Sequence, residues 1–151
     1  MLGRANREDS RFMNNAYMSN LPDYLAARLD GKAALYGCSW QSVYRLAMWL
    51  GLIAIEDRGG LRGAIAALEE EAIPSGPHGA GRRVNIPPDA RELVKMAKRE
   101  DIRWQLAQAV ALTAGLETID ARGGFNETKR WIETQRRLVM SQANPFARIR
   151  A

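Results

Sequence analysis

Apolar side chains recur along most of this chain with the period of a helix. In residues 22–35, Leu25, Ala26, Leu29, Ala33 and Ala34 share one helical face, and Pro22 suits the first turn, where its missing N–H costs nothing. A second helix is predicted from Ser39, a good N-cap, because Val43, Leu46, Ala47 and Leu50 follow at i, i+3, i+4 and i+7. Gly51 is either its end or an interruption that it tolerates. A third helix, over residues 61–72, buries Ala64, Ile65 and Leu68. The same order returns downstream. Residues 88–98 turn Leu93, Val94 and Ala97 inward, residues 102–114 turn Leu106, Ala107, Val110 and Ala114 inward, and residues 126–140 start at Asn126 as a cap. Two short runs depart from this period. Arg83, Val84, Asn85 and Ile86 alternate polar and apolar as a half-buried strand does, and residues 16–21 hold the equivalent place with poorer alternation.

The recurrence is visible in residue identity as well as in pattern. An offset of 64 lays residues 40–60 over 104–124 and matches Trp40/Trp104, Gln41/Gln105, Ala47/Ala111, Gly51/Gly115, Leu52/Leu116, Ile55/Ile119, Arg58/Arg122, Gly59/Gly123 and Gly60/Gly124. Nine identities in 21 positions far exceed the one or two expected by chance when common residues each make up about 5–10% of proteins, and indicate a duplication. With a two-residue difference in loop length, Pro22-Asp23 then meets Pro88-Asp89. The expected class is mainly α: two tandem helical repeats, each led by a short β-strand.

The expected organisation is a flexible N-terminus at 1–15, repeat one at 16–73, a linker at 74–82, repeat two at 83–140 and a basic tail at 141–151, with the repeats packed as one globular unit. The linker follows from the prolines and glycines of residues 73–81, which oppose regular structure and lack the Lys-Ser/Thr ending of a phosphate-cradling loop. Composition narrows the function classes. The net charge of +5 favours anionic partners, and from Asp120 onward seven basic residues face three acidic ones, whereas Glu69, Glu70 and Glu71 cluster in the first half. A solvated helix face explains either group equally. Cys38 is the single cysteine, which excludes an intrachain disulfide and a multi-thiolate metal site. Residues 1–15 are too charged for a secretory signal, and the apolar run at 46–55 is too short to span a bilayer. A cytoplasmic protein without a membrane role is expected.

A short alternating strand, a Pro-initiated helix, a tight turn and a second amphipathic helix make a known order. The residues that carry it are Arg83-Val84-Asn85-Ile86-Pro87-Pro88-Asp89 leading to Leu93 and Ala97, and Asn20-Leu21-Pro22-Asp23 leading to Leu29, Gly37, Ser39 and Val43. Over about residues 16–53 and 82–116 the chain resembles two ribbon-helix-helix DNA-binding units in tandem, similar to the tandem members that assist plasmid conjugation. The resemblance implies a single-chain pseudo-dimer with extra helices, whose paired strands enter the DNA major groove. It implies that Val84 and Ile86 face inward while Arg83 and Asn85 meet base edges, Arg suiting guanine and Asn adenine. Ser19, with Tyr17, is the matching outward position in copy one, and Arg82 joins the DNA-facing set. Ser39 and Trp40 at the start of the second helix would anchor a phosphate. The corresponding cap in copy two falls on Asp101, whose charge opposes one.

The remaining candidates have plainer readings. Trp40 and Trp104 are packed aromatics near helix starts, and Trp49 and Trp131 equally suit a protein-binding surface. Arg58 and Arg122, each beside a Gly-Gly pair, either cap a helix C-terminus or touch phosphate. Cys38 is a small buried hydrophobe or a reactive thiol at a helix start. His78 stands in the linker with no second ligand or nucleophile beside it, so no catalytic constellation, metal site or cofactor is expected. The expectation is a binding protein for double-stranded DNA, a transcriptional repressor or an accessory factor at a plasmid or phage DNA-processing site. The alternative is a helical adaptor that binds another protein, through the third helix of each repeat, with no nucleic-acid role.

Overall fold

The computed structural model describes residues 17–68 and 73–143. The expectations for residues 1–15, for Glu69, Glu70 and Glu71 and for 144–151 lie outside the described residues. Among those described, the protein is mainly helical, with six α-helices and one small two-stranded antiparallel sheet. It divides into two compact units, one ending at Thr118 and one beginning at Ile119.

The first unit holds β1 (Met18–Leu21), α1 (Asp23–Tyr36), α2 (Trp40–Asp57), α3 (Leu61–Ala67), β2 (Arg82–Asn85), a 3-10 turn (Pro88–Ala90), α4 (Glu92–Arg99) and most of α5 (Trp104–Ala121). β1 and β2 pair in the register Met18 with Asn85, Ser19 with Val84, Asn20 with Arg83 and Leu21 with Arg82. A bond from the Ile86 N–H to the Tyr17 carbonyl, 2.8 Å, extends the ladder by one step. Strands this short hold only because one face is buried on helices: Leu21, Val84 and Ile86 join Leu25, Leu29, Val43, Met48, Leu93 and Leu112 in the core.

α1 ends where Gly37 takes a left-handed conformation (φ 72°), and α2 starts at Ser39, whose hydroxyl accepts the Ser42 N–H. The equivalent turn before α5 is closed by Asp101, a non-glycine residue at φ 54°, with the first helical bond of α5 accepted by the Arg103 carbonyl. Asp101 is therefore not the cap of the second helix in copy two, as expected from sequence. It stands at the position of Gly37, and the residue at the position of Ser39 is the exposed Arg103.

Gly51 and Gly115 do not end their helices. A Cβ on Gly51 would overlap the backbone carbonyl of Ala111, and one on Gly115 would overlap that of Ala47. Each glycine thus lets α2 and α5 cross with backbone against backbone, reciprocally at the two members of each matched pair. The residues of 74–81 form no regular element, as their composition dictates, yet they are held: Asp23 N–H donates to the His78 carbonyl (2.9 Å), the Gly81 N–H donates to the Asp23 carboxylate (3.1 Å), and the His78 ring meets Tyr24 edge-on.

The second unit contains the end of α5, a turn through Arg122, Gly123 and Gly124, and α6 (Phe125–Ala143). The turn repeats, bond for bond, the one after α2. Gly60 N–H reaches the Ile55 carbonyl as Gly124 N–H reaches that of Ile119, and Gly59 N–H reaches Glu56 as Gly123 N–H reaches Asp120. All four glycines have positive φ, from 84° to 124°, which explains why no other residue stands there. Helix initiation after both turns uses the second glycine carbonyl, so Asn126, expected to cap α6, lies inside its first turn.

Candidate nucleic-acid interface

The antiparallel register sorts the ribbon into two faces. Ser19, Leu21, Val84 and Ile86 are buried, whereas Asn20, Arg83 and Asn85 are exposed and Met18 is half-exposed. Val84 and Ile86 inward, and Arg83 and Asn85 outward, follow the alternation read from sequence. For β1 the expected register was wrong by one residue. Ser19 faces inward and is only 7% exposed, so Met18 and Asn20 carry the outer face beside Asn85 and Arg83.

A polar residue survives in the inward row because its hydroxyl is satisfied there. Trp104 Nε1 donates to Ser19 Oγ at 2.6 Å, and Ser19 donates to Gln108 Oε1 at 3.3 Å. Gln108 is fully buried, and Tyr44 donates to the same oxygen at 2.9 Å. The Gln108 amide donates in turn to the Asn20 carbonyl and to Gln105 Oε1, and Gln105 donates to the Asn20 carbonyl at 2.9 Å. Among the described residues no buried side-chain nitrogen or oxygen lacks a partner. Sequence reasoning did not find Tyr44 or Gln108. The signal was the offset itself, for the two are 64 positions apart and residues matched by that offset meet across the α2–α5 crossing.

Tyr17 lies immediately before β1, and Arg91 at the start of α4 lays its guanidinium over the Tyr17 ring, 4.2 Å from the centroid. Arg82 is already engaged. It forms a two-bond pair with Asp30 on α1, at 2.8 and 2.9 Å, and covers the Trp40 ring at 4.6 Å. The Arg82 hydrogen bonds hold the Asp30 carboxyl below the usual carboxylate range. Both recurrent tryptophans therefore brace the ribbon from a helix start, Trp40 beneath Arg82 and Trp104 through Ser19.

Beside the ribbon, between its outer edge and the first turns of α2 and α4, is an open groove of about 830 Å³ whose walls include Tyr17, Trp40, Gln41, Arg45, Arg83 and Arg91. Among the described residues no carboxylate lines it. Ser39 is exposed next to Trp40, spending its oxygen on the cap of α2. Arg58 is exposed where α2 ends and does not line this groove. In the second unit Arg122 stacks on Trp131, 3.3 Å from the ring centroid, a third use that neither sequence reading anticipated.

Cys38 is half-buried, and burial pushes its thiol pKa up, away from the reactive thiolate. No group of three or more His, Cys, Asp or Glu residues among those described could hold a metal ion. No helix among the described residues is long and apolar enough to cross a membrane. Comparison with protein-family models, with curated proteins and with solved structures finds no match.

Proposed function

We propose that this protein binds double-stranded DNA by laying the β1–β2 ribbon into the major groove. The single observation that carries the reading is the ribbon itself, two strands from distant parts of one chain, paired antiparallel, with Asn20, Arg83 and Asn85 exposed on the outer face. Such a ribbon fits the major groove, and asparagine and arginine are the side chains that make paired hydrogen bonds to adenine and guanine edges. The offset of 64, the reciprocal glycine contacts and the matched Gly-Gly turns support a duplicated strand-helix-helix unit that has become its own dimer partner, the arrangement of a tandem ribbon-helix-helix protein. A role as repressor or as accessory factor at a DNA-processing site follows from such binding.

The test is a titration of the full chain against a labelled duplex of random sequence at two salt concentrations. Phosphate-dominated binding weakens steeply with salt, and affinity on this reading falls by more than tenfold between about 50 and 200 mM. No salt-dependent binding to any duplex contradicts it. A second reading, a protein-binding adaptor, draws on the exposure of Leu138 and Met140 on α6, 47% and 73%. Leu138→Ser with Met140→Ser abolishes partner capture on that reading and leaves duplex binding untouched.

A further inference from the structure

The two flanks of the ribbon are built differently although the residues around them are matched. At the start of α5, Trp104 and Gln105 are tied to β1 by the bonds to Ser19 Oγ and the Asn20 carbonyl (2.6 and 2.9 Å), with Gln108 adding a third to Asn20. That flank is tied by side-chain hydrogen bonds. At the start of α2, no side-chain hydrogen bond among the described residues links Trp40 or Gln41 to β2; Arg82 of β2 covers the Trp40 ring, and the groove of about 830 Å³ opens beside it. The residue content differs in the same sense. Arg45 on α2 is exposed, while its counterpart 64 positions on is Ala109, 2% exposed and part of the core.

Three guanidiniums, from Arg45, Arg83 and Arg91, line this groove, and no carboxylate is among its walls in the described residues. Arg91 is held with its guanidinium carbon over the Tyr17 ring, and a guanidinium can offer two N–H groups to two oxygens of a phosphate. Because Arg91 and Arg82 already cover the Tyr17 and Trp40 rings on one side, the groove favours phosphate over a stacked base.

We propose that this groove grips the DNA phosphate backbone on one side of the ribbon only, through Arg45 and Arg91, so that the protein binds its site with a fixed polarity rather than as a symmetric clamp. The inference rests on the ribbon reading above and adds an asymmetry to it. One-sided anchoring makes the α2 flank the salt-sensitive half of the complex and leaves the α5 flank with little backbone contact.

The experiment uses the full chain on its preferred duplex, with hydroxyl-radical footprinting and salt titration of wild type, Arg45→Ala, Arg91→Ala and Arg91→Lys. Both arginines are exposed, and unchanged thermal melts confirm that the variants fold. The expected result is backbone protection extending to one side of the ribbon footprint, lost in both alanine variants. The salt slope falls by about one for each arginine removed, base preference stays intact, and Arg91→Lys recovers part of the slope. Equal protection on both sides, or unchanged slopes while Arg83→Ala with Asn85→Ala flattens sequence preference, overturns one-sided anchoring and leaves the ribbon reading standing. If wild type binds no duplex, both are wrong.

Discussion

At the scale of single residues, stability turns on polar groups placed where apolar ones were expected. Tyr44 is almost wholly buried, and burial drives its phenol pKa far above the ordinary value, so its hydroxyl serves as a donor to Gln108 at every working pH. Tyr44→Phe removes that bond while Ser19 still donates to the same oxygen, and a loss of about 1 kcal/mol is expected in urea unfolding. Gln108→Ala costs more, since it strips partners from Tyr44, Ser19 and the Asn20 carbonyl together. Glu100 offers a pH-dependent case. Its carboxylate accepts the N–H groups of Leu61 and Arg62, both at 2.9 Å, and so caps α3 from outside the helix. Those bonds lower its pKa. Glu100 therefore stabilises above the unfolded-state carboxylate range, and the contribution goes as pH falls through the lower folded value. Glu100→Gln is expected to cost on the order of 1 kcal/mol at pH 7, the usual worth of a helix cap. The difference from wild type should shrink as pH falls below the usual carboxylate range, and a pH-independent difference would assign the loss to packing. None of these three roles was legible in the sequence, because a buried glutamine and a capping glutamate differ from surface ones only in tertiary setting.

At the scale of elements, the helical period placed every described helix, and errors gathered at the ends. Gly51 was read with two outcomes and Gly115 was taken to lie beyond the end of its helix, yet α2 and α5 each run through their glycine. The physical reason is that a mid-helix glycine's cost of about 1 kcal/mol relative to alanine is outweighed by the close crossing that it permits. Gly51→Ala or Gly115→Ala should accordingly destabilise by about 1–3 kcal/mol or more, although alanine is the better helix former. Thermal unfolding checks this, and a gain in melting temperature in either variant would show that the crossing is not tight. Asp101 was misread for a related reason: an aspartate beside a helix start resembles an N-cap, whereas it instead closes the preceding helix with a left-handed backbone. The strand of copy two was legible from its alternation. In copy one the alternation is masked by Ser19, and only the pairing with β2 fixes which residues face out.

At the scale of the whole chain, the repeat was the most informative feature of the sequence, because it joined two weak strand signals into one expected ribbon. The open groove at the α2 flank was not foreseeable, since it arises where matched residues diverge. The reading of function depends on the outer face of the ribbon. Its most direct test is selection from a randomised duplex library by wild type and by the Asn20→Ala, Arg83→Ala, Asn85→Ala triple variant, all three exposed side chains whose removal leaves the buried face intact. Wild type is predicted to enrich a short motif, and the variant to bind duplexes through phosphate contacts with that enrichment lost. Enrichment of the same motif by both proteins, or of none by wild type, contradicts the account.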